Sequence, residues 1–458
     1  MALHKIKKGL DLPITGSPEQ TIYDGPQVDS VAIVATDFVG MKPKMLCRIG
    51  DDVQRGQPIF EDRKTPGVLH TAPGAGKLVA INRGARRVLE SVVIELSEAE
   101  RSGRNDEQIS FASYSGQPVA ELDREQIVAL LVESGLWTAF RTRPYSKVPE
   151  IDSTPSSIFI NTMDTRPLAA DPEAIIAERD GDFQSGLAAI AKLSGRVYLC
   201  KASGSSVLSD TESVTVETFD GPHPAGLPGT HIHTLDPVSR KKTVWHINYQ
   251  DILAVGVLFS SGQLDVRRVV SLAGPPVKNG RLLRTRMGAN LTVLTSDEYP
   301  DGEHRIISGD VLSGRAAMGE VHGFLSRYDL QISVLKEDRE REFIGWLRPG
   351  ANKFTTVGTY LGGMLARLGG RRFAFTTTTH GEHREMVPLG MYEKVMPLDI
   401  IPTFLLRSIL VEDTERAEKL GALELAPEDL GLCSFVCPGK QDYGNDLGNI
   451  LETIRKEG

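Results

Sequence analysis

The side chains best able to do chemistry fall in a few short stretches of this 458-residue chain. From Ser134 to Asn161 the run SGLWTAFRTRPYSKVPEIDSTPSSIFIN interleaves Trp137, Phe140 and Tyr145 with Arg141, Arg143 and Lys147. Rings beside cationic donors suit a flat ligand with oxygen atoms at its edge, which needs a slot and one or two donors. The segment ATDFVGMKPKM adds Phe38 and Met41 between two predicted strands. Near the C-terminus, Cys433-x3-Cys437-Pro438 matches the last half of the iron–sulfur run C-x2-C-x2-C-x3-C-P, but Pro427 and Leu430 stand at the other two positions. Two thiolates do not hold a cluster, so the pair reads as a degenerate motif and no metal ligand is assigned.

The histidines give weaker signals. His223, His231 and His233 lie in VTVETFDGPHPAGLPGTHIH, where the H-x-H pair could offer two imidazoles to a metal. No Asp, Glu or Cys at a fixed spacing completes such a set, and the stretch reads as a Gly/Pro-rich surface loop entering a strand. His380 and His383, in TTTTHGEHREMVP, read as a solvated turn. Cys200, inside RVYLCKA, reads as a buried structural thiol. With no nucleophile–base pair, P-loop or intact G-x-G-x-x-G, no catalytic residue is assigned.

The elements that must position these residues predict a multidomain α/β and β protein. Its length implies about three or four domains. Residues 1–30 read as an extended arm punctuated by Pro and Gly. Residues 31–100 show short alternating strands with Gly-Asp, Arg-Gly-Gln and Pro-Gly turns, the pattern of a small β-sandwich or barrel. A polar Ser/Gly-rich linker is expected from about 100 to 125. Residues 101–260 otherwise follow a β-α-α-β order, with SSIFIN as a buried strand, and predict an α/β domain. A smaller unit of hairpin, helix start and return strand fills 261–335, and 336–458 ends in helices. No apolar run approaches the roughly 20 residues of a membrane-spanning helix. MALHKIKKGLDLP lacks the apolar core of a signal peptide. A net charge of −8 argues against general nucleic-acid binding, and four cysteines make no disulfide framework.

Several of these stretches resemble known families. Residues 31–98 are similar to the biotinyl/lipoyl barrel-sandwich fold, through Gly50, Asp51, Val53, Gly56 and Gln57 and through the Ala72-Pro73-x-x-Gly76 turn. In that fold a hairpin lysine carries a swinging arm. Lys64 is the one candidate for it, and reads as an exposed turn lysine on a barrel reused for packing. The loop at 134–161 resembles the flavin loop of the NADH-oxidising subunit of complex I and of the Rnf complex C subunit. Gly135 is kept there, but Trp137, Thr138 and Arg141 replace glycine or small residues. An indole obstructs the close backbone approach that cradles a phosphate, so the resemblance implies a retained scaffold without its flavin. The 264–335 unit looks like a soluble-ligand-binding β-grasp domain following a Rossmann-like one. The C-terminal helices look like a ferredoxin module without clusters, with Met396-Pro397 where the relatives bind their first cluster.

Along its whole length, in KIKKGLDLPITG, FEDRKTPGV, LWTAFRTRP, FDGPHPAGLPGTH, INYQD, MPLDI and LCSFVCPGK, the chain is similar to the A-subunit family of the sodium-translocating NADH:quinone oxidoreductases (Nqr). The resemblance implies a peripheral subunit on the cytoplasmic face of the bacterial inner membrane. It would dock on the membrane-embedded B subunit and contribute to ubiquinone binding without a tightly bound cofactor of its own. NADH, FAD, FMN, riboflavin and iron–sulfur centres are then expected in other subunits. The quinone candidates are Phe38, Met41, Trp137, Phe140, Arg141, Arg143, Tyr145 and Lys147. A pure adaptor, and an active flavoenzyme like the Rnf C subunit, are the alternatives.

Overall fold

The computed structural model describes residues 2–103, 107–340, 345–356 and 360–457. At its centre is a six-stranded sheet in the order Leu3–Lys5, Val214–Asp220, Val197–Ala202, Ile158–Thr162, Val244–Asn248 and Arg141–Arg143. The first five strands run parallel, and the last pairs antiparallel with Val244–Asn248. Ile158, Phe159 and Ile160 are all buried, as befits β-branched and aromatic residues in a strand covered on both faces. The helices Asp180–Ala191 and Tyr249–Ser261 pack together. Two glycines let them approach: a Cβ on Gly186 would run into the carbonyl of Ile252, and one on Gly256 into that of Asp182. Asn248 caps the second helix by accepting from the amides of Gln250 and Asp251.

Residues 134–149 differ from the loop expected there. A 3-10 turn, Leu136–Ala139, leads into the edge strand Arg141–Arg143, whose Thr142 registers with Trp245. Trp137, Phe140 and Trp245 pack with ring centroids 5.3–5.5 Å apart, and the Trp137 indole N–H donates to the Pro149 carbonyl at 2.9 Å. Such aromatic pairs add roughly 0.5–1.5 kcal/mol each beyond their area. These rings are core.

Two small antiparallel sheets form a sandwich. One has the order Ser30–Val34, Leu89–Leu96, Gly76–Arg83, Asp52–Val53; the other is Pro43–Met45, Pro58–Asp62, Leu69–Thr71. Lys64 lies exposed in the turn after Pro58–Asp62. Of the stretch expected as a linker, residues 104–106 lie outside the described residues and the part that follows is packed instead: the Arg55 amide donates to the Glu107 carbonyl and the Ile109 amide to that of Arg55. Phe111 is buried beneath Gly56. Two apolar side chains, Ile109 and Phe111, explain why this otherwise polar segment adheres.

A second six-stranded sheet is mixed, in the order Arg315–Ala316, His304–Ser308, Gln331–Lys336, Arg267–Ala273, Arg281–Arg286, Glu19–Asp24. The N-terminal arm therefore supplies an edge strand to both large sheets. Between them, Thr15 and Phe373 are joined by an amide-to-carbonyl bond of 3.0 Å. The C-terminal region packs the helices Tyr392–Val395, Pro402–Leu410, Thr414–Lys419, Gly431–Val436 and Tyr443–Glu457 around their own apolar core. Among the described residues, no helix is long and apolar enough to cross a membrane.

The close helix contact yields a test. In an open helix Gly→Ala gains about 1 kcal/mol, whereas forcing a methyl into a packed contact costs about 1–3 kcal/mol. Gly256→Ala is expected to lower the urea midpoint, and Gly181→Ala, whose Cβ meets nothing within 4 Å, to leave it equal or higher. Equal effects would show that the contact does not limit the packing.

Candidate functional site

In a doubly wound sheet, ligands bind where successive crossovers depart in opposite directions. Here that point lies between Ile158–Thr162 and Val244–Asn248, and a polar cavity of about 90 Å³ opens beside their ends. Arg141, Asn161, His246 and Asn248 come from the sheet, Arg166 from the following turn. Asp310, Tyr328 and Asp329 come from the mixed sheet's loops, and Glu428 reaches in from the C-terminal region.

Glu428 is the hub. Its two oxygens accept from Arg143 Nη2 at 3.0 Å and from Arg166 Nη2 at 2.7 Å, and Arg141 lies 3.8 Å away. The neighbouring Asp429 sits 3.3 Å from Arg143 Nη1. Arg143 is wholly buried, so its charge has no water to fall back on. Burial works against ionisation of Glu428, but Arg141, Arg166 and Arg143 overrule it and hold the carboxyl well below its usual range. For Asp429 burial wins and the carboxyl is raised. His246 is lowered well below the usual imidazole value by burial, then by Arg141 and Arg143, and so stays neutral. Its Nε2 is buried without a hydrogen-bond partner. The cluster holds fixed charge but offers no nucleophile.

An apolar cavity of about 40 Å³ lies where the sandwich, the α/β sheet and the mixed sheet meet. Phe38, His70, Leu136, Thr138, Met287 and Arg327 are among its walls. Phe38 meets His70 edge-on at 4.3 Å, and His70 stacks on Phe60 at 4.4 Å. Burial pushes His70 down to about 3, leaving a neutral imidazole. An engineered cavity that holds benzene measures about 150 Å³, so this one admits water but no ring without opening.

The expected site residues thus part company. Trp137 and Phe140 are core rings that line neither cavity, and Arg143 is locked into its ion cluster. Arg141 faces the polar cavity with its guanidinium 4.6 Å above the Tyr328 ring. Tyr145 packs half-buried against the C-terminal core. Lys147 is half-buried, lowered by burial and then by Arg455. Phe38 lines the apolar cavity, and Met41 packs partly buried on the sandwich core.

The histidine stretch differs from the strand expected there. His231 and His233 ride the helix Pro228–Leu235, started by Pro228, and their rings diverge. His231 bonds the Ala225 carbonyl at 2.9 Å, while His233 bonds Glu424 at 2.6 Å. His223 is buried 3.2 Å from the Thr165 hydroxyl. His383 reaches Gln441 at 3.0 Å.

The cysteines are buried. Cys200 lies in the central sheet. Burial pushes the Cys433 thiol up to about 12. Cys437 Sγ sits 3.2 and 3.4 Å from the hydroxyls of Tyr392 and Tyr443. Among the described residues no group of three or more His, Cys, Asp or Glu is placed to hold a metal.

The residues that build the polar cavity but escaped sequence reading are Arg166, His246, Tyr328 and Glu428. Glu428 stands 285 residues from Arg143 and 262 from Arg166, so no local pattern announces it.

Comparison with known proteins places the chain as follows. Residues 4–97 match the NqrA N-terminal barrel-sandwich hybrid domain, 122–264 the NqrA second alpha/beta domain, and 269–319 the NQRA C-terminal domain. It is 55% identical over 455 residues to the A subunit of the Na(+)-translocating NADH-quinone reductase of Pasteurella multocida, covering 99% of both chains. The proteins of the same name from Actinobacillus succinogenes and Haemophilus influenzae are 56% and 53% identical, again with 99% of both chains covered. Among solved structures, the NAD+-reducing NiFe hydrogenase in its H2-reduced state gives a TM-score of 0.37 at 13% identity, covering 78% of this chain and 64% of its own. The air-oxidised form gives 0.36 at 14%, covering 51% and 50%. Likeness at that level identifies neither a shared site nor a shared activity.

Removing one partner of a buried ion pair costs about 3–5 kcal/mol, because the other charge is stranded. Glu428→Gln is therefore expected to lower stability at pH 7 by that order, read as a urea midpoint. The folded carboxyl titrates below its unfolded value of about 4.3, so its stabilisation is present above that pH and is lost as pH falls. The gap between wild type and variant should narrow below about pH 4. A gap that is absent, or constant with pH, would remove Glu428 from the role of hub.

Proposed function

The chain belongs to the NqrA family, whose relatives are named as the A subunit of the Na(+)-translocating NADH-quinone reductase, and on that premise we propose that it serves as the peripheral A subunit of a bacterial sodium-pumping NADH:ubiquinone oxidoreductase. Identity above half over 99% of both chains is the observation that carries this reading. In it the complex oxidises NADH through flavins and iron–sulfur centres held by other subunits. It reduces ubiquinone and exports sodium. This chain docks on the cytoplasmic face of the inner membrane, chiefly on the membrane-embedded B subunit, and carries no flavin or cluster of its own. The mixed sheet is read as a β-grasp unit, the α/β domain as Rossmann-like, and the C-terminal helices as a ferredoxin module without clusters.

The quinone contribution rests on Phe38. Of the aromatic candidates it is the one at an apolar cavity with polar groups beside it, His70, Thr138 and Arg327. A headgroup exceeds the present 40 Å³, so binding requires the junction of the sandwich and the two large sheets to open, or a partner to complete the wall. Trp137 and Phe140, fully buried, act in this reading as the floor under Leu136 and Thr138.

The test is a titration with short-tail ubiquinone, followed by tryptophan fluorescence, on the isolated chain and on the assembled complex. Saturable quenching weakened about tenfold or more by Phe38→Ala is expected, since an aromatic wall contributes on the order of 1.5–3 kcal/mol. Binding to the complex alone would make the site a joint one. Absence of binding to either would make the chain an adaptor.

A further inference from the structure

Buried polar groups in folded proteins are nearly always hydrogen-bonded, and each exception asks for an explanation. Two exceptions meet at the apolar cavity between the sandwich and the two large sheets. His70, 3% exposed, stands on the sandwich strand Leu69–Thr71 and lines that cavity. Its ring is held by the stack on Phe60 and the edge of Phe38, and among the described residues neither ring nitrogen has a hydrogen-bond partner. Arg327, 8% exposed, comes from the loop before Gln331–Lys336 and lines the same cavity. Its Nη1 donates to Asp251 at 3.0 Å, while its Nη2 is buried without a partner.

The hydroxyls of the wall are already committed. Thr71 donates to the Ser134 carbonyl at 2.9 Å, Thr138 to the Gly135 carbonyl at 2.8 Å, and Ser134 to the Leu131 carbonyl at 3.2 Å. Val34, Leu136, Met287 and Leu325 make much of the remaining wall apolar. The side-chain donors left unused here are therefore the His70 imidazole and Nη2 of Arg327. An unpaired polar group in such a place destabilises the fold, and a phenylalanine at position 70 would keep the aromatic stack without that cost. A cavity of about 40 Å³ has room for a water molecule, which needs roughly 10–15 Å³, or for the oxygen atoms at one edge of a ring.

We propose that His70, through its ring N–H, and Arg327, through Nη2, hold the oxygen-bearing edge of the quinone headgroup, with Phe38 beside it. The inference rests on the quinone reading and names the donors which that reading requires. The two come from different parts of the fold, His70 from the sandwich and Arg327 from a loop of the mixed sheet. A headgroup entering the opened junction would bridge them and satisfy both. An apolar wall with a few placed donors is the usual make-up of a site for an uncharged ring.

The test titrates the full-length chain and the assembled complex with short-tail ubiquinone, and measures the urea midpoint of each variant alongside. His70→Phe keeps a ring against Phe60 and loses the ring N–H. Its Kd is expected to rise about tenfold, while its urea midpoint stays equal or rises because no hydrogen bond within the protein is removed. His70→Gln restores a donor and should recover part of the affinity. Arg327→Lys keeps a cation beside Asp251 but lacks the second nitrogen, and should raise Kd several-fold. A residue that merely packs, with water on its nitrogens, would lower the midpoint and leave Kd alone. An unchanged Kd in either His70→Phe or Arg327→Lys overturns the proposal. If Phe38→Ala weakens binding and His70→Phe does not, the quinone reading stands and the assignment of donors falls. If the wild type binds ubiquinone neither alone nor in the complex, the quinone reading itself fails, and the donors with it.

Discussion

The structure turns on one carboxylate among three arginines. Arg143 lies on the edge strand of the α/β sheet with no exposure to water, and an arginine cannot shed its proton to escape. Its charge must be met from inside the protein, and Glu428 and Asp429 of the C-terminal region meet it. The same Glu428 binds Arg166, which also faces Asp310 of the mixed sheet at 3.5 Å. One ion cluster thus ties the α/β domain, the mixed sheet and the C-terminal helices together. Surface pairs such as Arg339–Glu303, with side chains 71% and 61% exposed, contribute little by comparison.

The N-terminal arm reinforces that arrangement through backbone pairing. Leu3–Lys5 extends one large sheet and Glu19–Asp24 the other, so about twenty residues cover an edge on each. Each addition pairs parallel, which a local hairpin could not provide. The cavities follow from how these parts meet. Where the sandwich and the two large sheets converge, apolar side chains leave only a small gap. At the switch point of the α/β sheet, charged side chains leave a polar one, and Glu428 stands in it.

Much of this was legible in the sequence. The strand Ile158–Thr162 showed itself as a short β-branched and aromatic run. The Gly and Pro turns of residues 31–98 announced short strands. What could not be read was partnership across distance. Trp137 and Phe140 read as loop rings beside cationic donors until Trp245, about a hundred residues on, is seen to close over them. The H-x-H pair suggests strand alternation until Pro228 sets a helix and sends the two rings apart. Ile109 and Phe111 sit in a polar stretch whose adhesion depends on Arg55 and Gly56 of the sandwich.

A binding crevice at the switch point normally stays open because its walls need water or ligand to satisfy them. Here the protein supplies its own anion. Glu428 reaches in from the C-terminal region and lies against Arg141, Arg143 and Arg166. Any anionic ligand entering the crevice would have to displace a carboxylate held by two direct hydrogen bonds, 2.7 and 3.0 Å long. Charge-assisted bonds of this kind are worth about 1.5–3 kcal/mol each, and displacement would also strand the Arg143 charge.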